Sequence, residues 1–257
     1  MTGETTFIEA LLIALGVGAA SGAIGSFIIL RRMALVGDAL SHVALPGIAL
    51  ALAYQIDPFW GVLVFLLGAA FLIWWLEGRT NLPSEAIVGL LFTASLAIGV
   101  LTIPDTEILE SLFGEFPKFS PLVLGFVLTL AFALTAAIFI LTRRFTFSIV
   151  APELARIELG GRYIDFYLLL VFVMTVALGI KLVGTLLMGA LTIIPAAIAK
   201  NVTRSMSGYT ILSTFLGGSI AVAGTIAAKY FQFPHPGAVI ILIGAGIFLV
   251  SLPFKKI

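Results

Sequence analysis

Long apolar runs alternate with short polar punctuation along the whole chain, and no stretch between runs is long enough for a separate domain. A membrane-crossing helix needs about 20 apolar residues, because roughly 30 Å of hydrocarbon is covered at about 1.5 Å per residue. Breaks at charge, Pro and Gly leave nine candidates: Phe7 to Leu30, Val36 to Tyr54, Pro58 to Leu76, Ser84 to Ile103, Pro121 to Leu141, Tyr163 to Ile180, Leu182 to Ala199, Gly208 to Lys229, and Gly237 to Leu252. Residues 1–257 therefore read as one all-α polytopic membrane domain. The first run follows Glu4 and contains Glu9, with no Lys or Arg before it. That is the reverse of a secretory leader, so a permanent first span is expected.

One junction is weak. Between Tyr163 and Lys200 the only charges are Asp165 and Lys181, yet a single helix over that length would run about 57 Å. The chain must turn near Gly179 to Gly184, either as two full crossings or as a re-entrant hairpin, so the expected number of transmembrane helices is eight or nine.

Charge fixes an expected orientation. With the N-terminus outside and the C-terminus in the cytoplasm, the inner loops and C-terminal tail hold 11 of the 14 basic residues, including Arg31, Arg32, Arg79, Arg143, Arg144, Lys200 and Arg204. Cytoplasmic loops carry such an excess, which supports this orientation for a multi-pass membrane protein. Composition agrees: 61% of residues are hydrophobic and 11% charged, against about 25% charged in soluble domains. A net charge of +1 is too small for a nucleic-acid binder. There is no cysteine, so a metal would have to be met by oxygen and nitrogen.

Two segments lie outside the candidate spans. Residues 104–120 set Ile108, Leu109, Leu112, Phe113 and Phe116 among acidic groups, which suits an outer interfacial helix or a plain loop. Residues 143–162 form the longest inner loop, with Pro152 opening a short helix and Gly160-Gly161 stopping it. It is the natural handle for a cytosolic partner.

Ionisable groups inside spans are rare and expensive, and the second span holds two, Asp38 and His42. Four residues apart on a helix, they share one face and can share one ligand. An N-terminal cap or an ion-pair partner near Arg32 would also account for Asp38. Pro46 has no N–H for the His42 carbonyl, so the helix should break or bend there. Residues 182–187 (LVGTLL) echo residues 35–40 (LVGDAL), and Pro195 follows the echo as Pro46 follows the original. Paired breaks of this kind suit an inverted repeat around a substrate pathway, and shared membrane composition explains the echo equally well. His235, held between Pro234 and Pro236 in the last outer turn, reads as a rigid turn residue first and as a group that could meet an incoming cation second. Gly18, Gly22, Gly217, Gly218, Gly244 and Gly246 read as helix-packing surfaces. No GxxxxGK[ST] loop and no HExxH occurs, so the chain is not expected to be an enzyme or to hydrolyse ATP by a P-loop.

These residues resemble the permease subunit of bacterial zinc/manganese/iron ABC importers. The likeness is carried by residues 31–47 (RRMALVGDALSHVALPG), by Leu109 to Gly114, by Pro152-Glu153-Leu154-Ala155-Arg156, and by residues 183–197 (VGTLLMGALTIIPAA). The resemblance implies an importer-type permease that binds no permanent cofactor and carries a divalent Zn, Mn or Fe ion. It implies two permease copies, two cytosolic ATPase subunits that alone hold ATP, and an external metal-binding protein. It further implies that Asp38 and His42 hold the metal. Pro152, Glu153, Leu154, Ala155, Arg156 and Gly160 would contact the ATPase, and Pro46 and Pro195 would break the pathway helices. Two rivals remain at this point. One is a proton-coupled secondary carrier using Asp38 and His42 as a relay; the other is a non-transporting scaffold.

Overall fold

The computed structural model describes residues 7–80, 82, 84–102, 112–116, 121–158 and 161–254. Every regular element among them is helical: α1 (Phe7–Leu30), α2 (Ala34–Val43), α3 (Leu45–Ala53), α4 (Pro58–Glu77), α5 (Ser84–Thr102), α6 (Pro121–Val150), α7 (Pro152–Glu158), α8 (Gly161–Val183), α9 (Met188–Val202), α10 (Met206–Tyr230), α11 (Pro236–Ser251) and a 3-10 turn, Leu252–Phe254. Lipid offers no hydrogen-bond partner, so each run must satisfy its own backbone, which a helix does. Local signals fix several starts. Asp57 accepts from the Phe59 N–H at 2.9 Å with Pro58 in the first turn, and Ser205 accepts from the Gly208 N–H at 3.2 Å.

The chain runs back and forth between two ends. At one, Arg31 of the α1–α2 corner donates to Ser148 near the end of α6 at 2.8 Å and pairs with Asp165 at the start of α8. Asn201 of α9 donates to Ser251 of α11 at 3.1 Å at that end too. It is the basic end. At the opposite end, Glu115 donates its N–H to the Lys181 carbonyl at 3.1 Å, and Leu186 donates to the Leu112 carbonyl at 3.0 Å.

Eight helical stretches among the described residues are long and apolar enough to cross a membrane, the α2–α3 pair counting as one. The seventh candidate differs from its expected form. Helix α8 runs through Gly179 to Val183, and the turn falls at 184–187, where Gly184 takes φ +86°. Helix α9 then has 15 residues, about 22 Å, too short to span alone. It does carry the chain across: it leaves α8 at the opposite end and finishes beside Ser251 at the basic end. The hairpin is therefore one full helix, a descending turn and a short helix.

Helices α1, α8 and the α2–α3 pair are the most buried, while α5, α6 and α11 offer most of their surface outward. Glycine lets α1 approach α10 closely: Gly18 and Gly22 lie directly against Gly217 and Ser213. Gly218 and Gly244 also pack against neighbours, and Gly246 has open space beside it within this chain. The sequence echo does not extend to conformation, since Gly37 lies inside α2 and Gly184 in a left-handed turn. Most of 104–120 lies outside the described residues, as does Gly160.

Candidate metal site

Helix α2 has apolar residues on the sides that meet α5, α8 and α9 and leaves Asp38 exposed. Asp38 lines a cavity of about 290 Å³ between α2 and α5, together with Arg32, Glu85, Val88 and Phe92. One turn further on, His42 is buried at 6% exposure, and its ring and that of Phe92 meet edge to face at a centroid distance of 5.3 Å. Its Nδ1 has no hydrogen-bond partner. An unmatched buried nitrogen costs about 1–3 kcal/mol, so a site of this kind gains by receiving a cation or donor. Ser41 anchors the same turn by donating to the Gly37 carbonyl at 2.8 Å.

The helix breaks immediately after the pair. Ala44 is a one-residue junction whose N–H turns toward the Ser41 and His42 carbonyls, and Pro46 sits in the first turn of α3. The second expected break is not at Pro195, because α9 runs through that residue without interruption; the chain is interrupted at 184–187. That interruption delivers the start of α9 to Asp38. Gly189 lies against the Asp38 backbone, and Leu187, the cap residue, supplies no side-chain hydrogen bond. The first turn of α9 thus packs on the α2 backbone at Asp38, whose side chain lines the cavity on the α5 side.

Among the described residues no group of three or more His, Cys, Asp or Glu side chains comes together. One chain brings Asp38 and His42 to one helix face as a pair. His235 is far from it: its Nδ1 is 2.9 Å from the Gly114 carbonyl, and its ring stands 5.9 Å from that of Phe113. It braces the turn at the opposite end.

Of the residues expected to contact an ATPase, Pro152, Glu153 and Leu154 are exposed on α7, with Leu154 at 55%. Ala155 is buried, and its N–H bonds to the Ala151 carbonyl at 2.9 Å. It holds α7 to the bundle rather than offering surface. Reading the sequence did not single out Gly189, Phe92, Glu85 or the Arg31 and Asp165 pair. Their roles depend on contacts between helices distant in the chain, which no local spacing signals.

Residues 4–255 match the model of the ABC 3 transport family. The manganese import system permease protein ScaB of Streptococcus gordonii is 32% identical over 250 residues, covering 95% of this chain and 89% of that protein. The high-affinity zinc uptake system membrane protein ZnuB of Haemophilus influenzae is 28% identical over 256 residues, covering 96% of each. Among solved structures, PsaBC from Streptococcus pneumoniae in complex with Fab is similar with a TM-score of 0.79 and 30% identity, covering 96% of this chain and 91% of that one.

Proposed function

From the premise that this chain belongs to the ABC 3 transport family, as a multi-span permease component, we propose that it imports a divalent transition-metal ion, Mn or Zn, with energy from a separate ATPase. The observation that carries this reading is the exposed Asp38 carboxylate on a cavity, one turn from a buried His42 nitrogen without a partner. Carboxylate and imidazole oxygen and nitrogen donors suit divalent Mn, Fe and Zn, with geometry and supply deciding among them.

One copy contributes two donors, which is few for a divalent ion. Two copies about a twofold axis would supply two carboxylates and two imidazoles around a shared pathway. The cargo would pass from an external metal-binding protein into this cage and leave at the basic end, whose excess of Lys and Arg suits the cytoplasmic side. The exposed face of α7 would seat the ATPase, whose nucleotide cycle would switch the pathway between its two faces. The family gives no support to the proton-driven carrier or to the scaffold.

Uptake measurements test this directly. Asp38→Asn and His42→Ala should each abolish Mn and Zn uptake while assembly with the ATPase persists. Normal uptake in both variants at limiting metal overturns the site. Uptake that continues without the ATPase but stops with a protonophore overturns the energy coupling.

A further inference from the structure

We infer that Gly189 is a positioning residue for Asp38, fixing where the carboxylate stands in the pathway and so how tightly, and which, divalent ion is held. This rests on Asp38 and His42 being the metal site. The contact is between backbones. A Cβ on Gly189 would lie 2.9 Å from the Asp38 nitrogen, 3.0 Å from its Cα and 3.3 Å from its Cβ. None of these atoms can swing away as the end of a long side chain can. Any side chain at 189 must displace α2 or α9, and with α2 goes the carboxylate.

The neighbouring residue shows the same crossing from the other side. A Cβ on Gly37 would meet the Phe172 ring at 3.1 Å and the Gly189 Cα at 3.8 Å, and Phe172 is itself fully buried. Helix α2 is thus seated by two glycines where it crosses α8 and α9, immediately beside its acidic residue. The interrupted hairpin is what makes this possible: because α9 starts inside the bundle after the 184–187 turn, its first turn reaches Asp38. Metals of one charge are distinguished by ligand spacing and geometry, so a shift of a few tenths of an ångström bears on selection. Repeating the shift in both copies of a twofold site doubles its effect on the distance between carboxylates.

The test is equilibrium binding of Mn²⁺ to the purified permease–ATPase complex, read from the electron paramagnetic resonance of free Mn²⁺, with Zn²⁺ as competitor. Gly189→Ala should raise the Kd for Mn²⁺ about tenfold, the order seen when groups supporting metal ligands are altered, and change the Zn/Mn competition ratio. Gly37→Ala, whose contact is with a ring edge, should give a smaller shift in the same direction. Gly16→Ala, which crowds Ala131 at 3.2 Å in a different crossing, should leave Kd and ratio unchanged. Wild-type Kd and ratio in Gly189→Ala overturn the inference, as they do in Gly37→Ala should Gly189→Ala not assemble. An equal shift in Gly16→Ala overturns it too, by reducing the effect to general crowding. Asp38→Asn separates the two levels: if it binds Mn²⁺ like wild type, the metal site itself is wrong; if binding is lost and the glycine variants are silent, only the positioning role fails.

Discussion

The Arg31 guanidinium reaches 134 residues along the chain to pair with the Asp165 carboxylate, and the same Nη2 donates to Ser148 at 2.8 Å. One side chain thereby joins the corner leading into α2 to the last turn of α6 and the first of α8, the two helices that flank α7. The partners are unequal: the Arg31 side chain is 17% exposed and that of Asp165 46%.

That inequality predicts an order of stabilities. Asp165→Ala leaves a mostly buried cation with Ser148 alone, and should cost about 1–3 kcal/mol, as expected for a charged group losing its partner. Adding Arg31→Met removes the stranded charge while keeping an apolar stem, so the double variant should melt above Asp165→Ala. Thermal unfolding followed by tryptophan fluorescence checks this; a double variant less stable than the single one contradicts it.

A cage shared between copies has a dosage signature. When wild-type and Asp38→Asn permeases are expressed equally and pair at random, only dimers with two wild-type copies should transport, so uptake should fall to about a quarter of the wild-type rate. Separate pathways in each copy would leave about half. Isolating mixed dimers through two affinity tags and measuring their uptake in vesicles distinguishes the outcomes directly.

The two histidines should separate cleanly. His42→Ala removes a donor from the proposed cage, whereas His235→Ala removes one hydrogen bond to Gly114 at the far end. The second change should cost about 0.5–1.5 kcal/mol, lowering the melting temperature by a few degrees, while Mn²⁺ binding and the preference between Mn and Zn stay as in wild type. A changed preference would bring His235 into the metal route.

How much of this was legible in the sequence depends on the range of the interaction. Span positions follow from apolar run length, and the Asp38 and His42 pairing on one face follows from a four-residue spacing, so both could be read locally. The break near Pro46 was legible for the same reason, since proline acts on its own turn. Pro195 lies within α9 without interrupting it, and the left-handed Gly184 and the turn after it end α8. Glycine in an apolar run carries no mark of whether it turns the chain, as Gly184 does, seats a helix crossing, as Gly189 does, or faces open space, as Gly246 does. Only the packed neighbour tells them apart.

On helix α7 two adjacent residues differ sharply in exposure. Leu154 is 55% exposed on the face proposed to meet the ATPase, and Ala155 is buried against the bundle. Leu154→Asp should therefore leave the melting temperature of the isolated permease within about a degree, as surface substitutions generally change stability by no more than about 0.5 kcal/mol. It should nevertheless abolish co-purification with the ATPase, since a charge in the apolar centre of a contact is desolvated without a partner. Ala155→Asp puts the same charge inside and should prevent stable folding in either setting. If Leu154→Asp retains the ATPase at wild-type stoichiometry, the docking face lies elsewhere on the basic end.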